Sequence, residues 1–147
     1  MTGDSDPTAT ASELQGELRD QLCLAVFGDH VRWVLSGDKA AALAQWLADA
    51  AGQWREWADQ VAKQLVTLGV APDGRARALA KDVPWNWVPD GWLQLDEAQR
   101  LVDDRLGRVA TWARVRQSQV NDPESAQLLD AVCLGLEAQV ASFRTVS

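Results

Sequence analysis

Three observations predict an all-α protein of four long helices with one long crossover. Each long segment repeats its apolar residues at steps of three and four, the period of one helix face. No stretch alternates apolar and polar residues with period two, as a half-buried strand would. Three of the five prolines, Pro72, Pro84 and Pro89, fall between residues 71 and 93, so the crossover belongs there, after the second helix. The 147 residues fit one domain, with residues 1–11 a flexible acidic tail and residues 12–147 the bundle.

The first helix is expected from Ser12, its N-cap, to Leu35, with Leu14, Leu18, Leu22 and Val26 as its stripe. Glu13 and Glu17 then fall near its N-terminus, where the helix dipole favours anions. Gly28 interrupts the stripe at about 1 kcal/mol relative to Ala, which points to close packing there. The turn Ser36-Gly37-Asp38 leads into the second helix, with Asp38 as its N-cap. The stripe of that helix is Leu43, Leu47, Ala50, Trp54, Trp57, Val61, Leu65 and Leu68, and Gly69 and Pro72 stop it. About 30 residues span roughly 45 Å, which suits antiparallel bundle partners. Residues 75–81 have room for a short helix inside the crossover, and Trp85, Trp87 and Trp92 are expected to fix the crossover to the bundle. The third helix runs from Asp96 to Val120 on Leu95, Ala98, Val102, Leu106, Val109, Ala113 and Arg116. Asn121-Asp122-Pro123 turns into the fourth, which runs to Thr145 on Leu129, Val132, Leu136, Val140 and Phe143.

Composition narrows the function. A net charge of −7 and a pI near 4.6 oppose binding to phosphate backbones or anionic membranes. No apolar run approaches 18 residues, and the polar N-terminus has no signal-peptide pattern, so a cytoplasmic protein is expected. Cys23 and Cys133 lie in separate apolar patterns and read as small buried hydrophobes in a reducing compartment. The carboxylate pairs Glu56/Asp59 and Asp103/Asp104 read as solvated helix faces, with Asp59 paired to Lys63 one turn on. No Gly-rich phosphate loop, Ser/His/Asp set or Cys/His cluster is present.

Several phrases carry a resemblance. Arg32-Trp33-Val34-Leu35-Ser36-Gly37 resembles the HWNxxG motif of the Dps family of ferritin-like cage proteins. Residues 68–76, LGVAPDGRA, are similar to the phrase that closes its second helix, and Pro89-Asp90-Gly91-Trp92-Leu93 to its PxGWL entry to the third. Ser125-Ala126-Gln127-Leu128-Leu129 and Gly135-Leu136-Glu137 are similar to its fourth helix. The resemblance covers about Leu14 to Phe143 and implies a ferritin-like four-helix bundle that assembles, through twofold contacts of the second helix, into a homo-oligomer, a hollow dodecamer in the family. At least one of Trp46, Trp54 and Trp57 is then expected to be buried only in that oligomer.

The family oxidises Fe(II), usually with peroxide, at a centre shared between two subunits and built from two His, two Asp and one Glu. Carried over by position, those ligands fall on Arg32, Ala44, Ala48, Asp59 and Lys63, so only Asp59 is retained. The lone histidine, His30, lies about 200° round the helix from position 32 and does not replace the lost ligand. No catalytic, cofactor-binding or metal residue is therefore expected, and iron, the family's cofactor, is not predicted here. The leading expectation is a non-catalytic cage or interaction protein. The alternative is an iron-storage or oxidative-stress protection protein that oxidises iron at another site or co-assembles with an active paralogue. A DNA-binding protection protein ranks below both, because no lysine-rich arm is present. Where the iron sat, Arg32 is expected to face Asp59 of the partner subunit.

Overall fold

The structure, a computed structural model, describes residues 7–81 and 88–146. Among the described residues, five helices and two short strands follow one another: α1 (Pro7–Val34), β1 (Leu35–Ser36), α2 (Ala41–Thr67), α3 (Ala76–Ala80), β2 (Leu93–Gln94), α4 (Leu95–Gln119) and α5 (Pro123–Val146). The four long helices form an all-α, ferritin-like bundle, and α3 lies in the crossover.

Two core clusters give the helix directions. One joins the beginning of α1 (Ala11, Leu14, Leu18) to the end of α2 (Val61, Leu65), to Val120 just past α4, and to the beginning of α5 (Leu129). The other joins the end of α1 (Phe27, Val31) to the beginnings of α2 (Leu43, Leu47) and α4 (Ala98, Val102), and to Phe143 near the end of α5. So α2 and α4 run one way, and α1 and α5 the other. Two helices running the same way cannot be joined by a tight turn, which is why the chain between α2 and α4 is long. At its far end β2 pairs in parallel with β1, Leu35 opposite Leu93 and Ser36 opposite Gln94. This pairing of two residues each was not expected from the sequence, because two residues show no period.

The helix ends depart from expectation in instructive ways. Helix α1 begins at Pro7, not Ser12, and Thr10 and Ala11 are already buried, so the tail is shorter than expected. Glu17 is consequently a buried third-turn residue rather than an anion at the helix start. The stripe of α1 also differs. A step of four repeated drifts about 40° each time, so Leu14 and Leu18 are buried but Val26 is exposed, and Leu24, Phe27 and Val31 continue the core. Asp38 does not cap α2. Ala40 holds the N-cap position and donates to Gly37 O (3.3 Å), closing a turn on Gly37 at φ +110°. Asp96 does not cap α4, whose N-cap is Gln94.

Two termini behave as the sequence indicates. After α2, Gly69 (φ +79°) donates to Val66 O and Val70 to Leu65 O, each at 2.9 Å. These paired bonds satisfy carbonyls that the helix end would otherwise leave open. Ahead of α5, Asp122 Oδ2 accepts from Ser125 N–H (2.9 Å) and Ser125 Oγ–H (2.6 Å), with Pro123 in the first turn.

The close packing expected at Gly28 is present. A Cβ there would lie 2.8 Å from Trp54 Cζ3. Trp54 and Trp57 are buried within a single chain, so neither waits for a partner to cover it. Trp46 is half-buried, edge-on to Trp54 at 6.3 Å between ring centroids. Of the crossover tryptophans, Trp92 is 74% exposed and fixes nothing, while Trp85 and Trp87 lie outside the described residues.

Candidate functional site

The five positions that the resemblance singles out lie on α1 and α2. Arg32 stands in the last turn of α1. Its Nε donates to Asp29 Oδ1 at 3.0 Å, one turn back, and its guanidinium carbon lies 5.4 Å from the Trp33 ring centroid. Arg55 of α2 donates through Nη2 to the other oxygen, Asp29 Oδ2. Burial alone would raise the Asp29 carboxyl, but bonds from Arg55 and Arg32 outweigh it and hold the group below the usual carboxylate range. Asp29 therefore joins α1 to α2, and two cations share one anion.

Ala44 and Ala48 are half-buried methyls on the first half of α2. Three turns past Ala48, Asp59 is exposed and bonded to Lys63 Nζ at 2.8 Å. Its hydrogen bond and charge raise the Lys63 ammonium above its ordinary value. As donors, the five positions offer one carboxylate, already engaged, together with two methyls and two cations. Iron needs imidazole or carboxylate groups converging on open coordination positions, and this set does not supply them. Among the described residues, no three His, Cys, Asp or Glu side chains come together as a metal site would require. His30 is half-buried on α1.

Residue-by-residue reading missed Asp29 and Arg55. The pair Asp29 and Arg32, three apart on one helix, was a legible signal, but the Arg55 contact depends on how α1 packs against α2. A second missed group is buried inside the bundle. Glu17, Asp20 and Gln21 of α1 and Arg116 of α4 are all less than a tenth exposed. Arg116 Nη1 donates to Glu17 Oε1 (3.1 Å) and to Asp20 Oδ2 (2.7 Å), and Gln21 Nε2 donates to Glu17 Oε2 (2.7 Å). Arg116 was placed on the buried face from its spacing, but the carboxylates opposite it were not.

Residues 11–146 match the ferritin-like domain family. The chain belongs to that family. Among solved structures it is similar to Dps92 from Deinococcus radiodurans at 25% identity and a TM-score of 0.89, covering 95% of this chain and 86% of that one. It is equally close in fold to a C-terminal deletion mutant of Mycobacterium smegmatis Dps, at 24% identity and TM-score 0.89, covering 95% and 98%. DpsC from Streptomyces coelicolor shares the fold at 19% identity and TM-score 0.87, covering 99% and 92%. Within the ferritin-like family this chain is of the Dps type. No curated protein matches it. No described helix is long and apolar enough to cross a membrane.

Proposed function

We propose that this protein is a Dps-type subunit that self-assembles without the family's intersubunit ferroxidase centre, and that it serves as a non-catalytic cage or interaction protein. The observation that carries this reading is the donor set: Arg32, Ala44, Ala48 and Lys63 replace four of the five ligands, and Asp59, the fifth, is paired with Lys63. A divalent ion brought to that place meets two permanent cations and one committed carboxylate. The test is Fe(II) oxidation by peroxide on the purified protein, followed optically. Oxidation no faster than the protein-free control is expected. A saturable, protein-dependent rate would favour the alternative of iron oxidation at another site.

Self-assembly through the α1–α2 face is supported by what that face exposes. Val26 and Trp33, seven residues apart and so on one side of α1, are 62% and 64% exposed. The same face carries excess positive charge at Arg32 and Arg55 and exposed carboxylates at Glu56 and Asp59. A twofold axis brings unlike ends of such a face together. Arg32 uses Nε on Asp29, which leaves its two terminal nitrogens to reach Asp59 of the partner subunit. On this reading an organic cation stands where the family holds iron. Native mass spectrometry at micromolar protein is expected to give a homo-oligomer, and a monodisperse monomer overturns the assembly.

A further inference from the structure

The interior of the bundle contains an electrostatic imbalance. Two carboxylates, Glu17 and Asp20, meet a single guanidinium, and both accept from the same nitrogen, Nη1 of Arg116. Two further cations, Arg19 of α1 and Arg108 of α4, line a cleft with Asp20 and Arg116, and Arg108 is bonded to Asp104, so the added positive charge faces Asp20 while Glu17 has Arg116 as its cation. On α1, Glu13 is a further acid one turn before Glu17 and has a buried Oε2 without a hydrogen-bond partner. Helix α5 presents Cys133, a buried thiol raised to about 11, chiefly by burial, which interacts electrostatically with Glu17. The buried residues of α2 are all apolar. Arg105, the other buried cation of α4, lies away over the Phe27 ring at 4.7 Å. Burying two ionised carboxylates against one cation strands a negative charge where solvation is poor.

The Gln21 amide offers a resolution of the imbalance. Its nitrogen lies 2.7 Å from Glu17 Oε2, while its own buried oxygen has no partner. Amide oxygen and nitrogen are interchangeable by a half-turn of the group. A separation of 2.7 Å is the usual length for O–H···O and short for N–H···O. Turning the amide costs no hydrogen bond, since either orientation leaves one of its polar atoms unpartnered. With it turned, a neutral Glu17 donates its proton to Gln21 Oε1 and still accepts from Arg116 through Oε1.

We propose that Glu17 is carried as a neutral carboxylic acid inside the bundle, its O–H bonded to the Gln21 amide oxygen, and that this proton is a built-in pH lock on the fold. Asp20 then keeps Arg116 as its own counter-ion. Losing the proton as pH rises leaves an unmatched charge between α1 and α4 and loosens that pair of helices. Burial, the largest influence on Glu17, acts in this direction, and Arg116 and Gln21 oppose it. The sign follows from proton uptake. A buried acid with a raised folded-state value binds more protons folded than unfolded, so stability falls as pH rises from about 4.5 through that value.

The experiment uses the whole 147-residue chain in two independent measurements. Infrared spectra of protein with ¹³C-labelled glutamate at pH 7 are expected to contain a glutamic-acid C=O stretch that shifts with the label, and its absence overturns the proposal whatever any variant does. Urea unfolding of wild type and Glu17→Gln from pH 5.5 to 8 is the second. Gln reproduces the neutral acid. Wild type is expected to lose folding equilibrium constant relative to the variant, by up to about tenfold per pH unit below the folded-state value. The variant is expected to be the more stable at pH 8. A variant less stable than wild type by the same factor at every pH shows an ionised Glu17 paired with Arg116 and refutes the lock.

Discussion

Three glycine-to-alanine changes test the packing of the bundle with steric cost as the only intended variable. All three sites are interior to a helix, so each gains about 1 kcal/mol from replacing Gly by Ala. At Gly107 of α4 nothing lies within 4 Å of the added Cβ, and that gain stands alone. At Gly28 the Cβ meets Trp54 Cζ3 at 2.8 Å. That ring cannot easily retreat, because it is fully buried and its Nε1 is bonded to Gln139 Oε1 at 2.8 Å. Overpacking of this kind costs about 1–3 kcal/mol, so the net effect runs from about zero to a loss of about 2 kcal/mol. At Gly135 of α5 the added atom falls against Trp57 Cζ2 and 2.6 Å from Cη2, a deeper overlap. The expected order of stability is Gly107→Ala above wild type, then Gly28→Ala, then Gly135→Ala. The assay is urea unfolding followed by far-UV circular dichroism, at one protomer concentration so that any self-association is held constant. With m-values of about 1–3 kcal/mol per M, each kcal/mol moves the midpoint by about 0.3–1 M. A Gly28→Ala midpoint equal to that of Gly107→Ala would show that Trp54 is free to yield, and the reasoning from close packing would fail.

Further expectations follow from single contacts. Asp122→Ala removes the acceptor that caps α5 and is expected to cost about 1 kcal/mol. Bonds from Ser125 and Gln64 hold the Asp122 carboxyl below its ordinary 3.8, so its contribution is present above that pH and lost as pH falls through the lowered value. Acid unfolding curves of wild type and variant should therefore converge at low pH. If Arg32 answers Asp59 of the partner subunit, the losses from Arg32→Ala and Asp59→Ala are less than additive in the double variant, because both changes remove the same contact. Analytical ultracentrifugation reads the three losses, and additive losses refute the pairing. No mobility shift of duplex DNA is expected at physiological salt, given the net charge of −7. Salt-sensitive binding at micromolar protein would contradict this.

The long helices were legible because each carries its own period over more than 20 residues, and the crossover because prolines concentrate there. Helix starts were less legible. Ser12, Asp38 and Asp96 are all good capping residues by type, yet none caps a helix. Chain geometry decided instead, through Pro7 for α1 and the Gly37–Ala40 turn for α2. The tryptophan expected to be buried only by a partner is neither Trp54 nor Trp57, stripe residues that the bundle itself covers. They fit inside because Gly28 and Gly135 leave each ring a space that only a hydrogen atom vacates. The stripe of α1 misled for a related reason: Val26 was chosen by hydropathy at a step of four, while Glu17, Asp20 and Gln21 were passed over although they share the buried side with Leu14 and Leu18.

The five positions that the resemblance singles out were readable as a list of residues but not as an arrangement, and the difference lies in Asp29. Carrying the family pattern over by position finds Arg32 and Lys63. It does not ask what each cation rests on. Lys63 rests on Asp59 of its own helix, a local pair that any reader of spacing can find. Arg32 rests on Asp29, which Arg55 also holds from α2, so its guanidinium is placed by a link between two helices rather than by its own backbone. That link has a mechanical consequence. A flexible arginine facing a partner loses much of its side-chain freedom on docking, whereas one already tied through Nε to a buried carboxylate has lost part of it beforehand. Asp29→Asn, which keeps the shape but removes the charge, should therefore weaken assembly while leaving Arg32 in the sequence. The electrostatics of the α1–α2 face thus depend on a residue that no ligand alignment inspects.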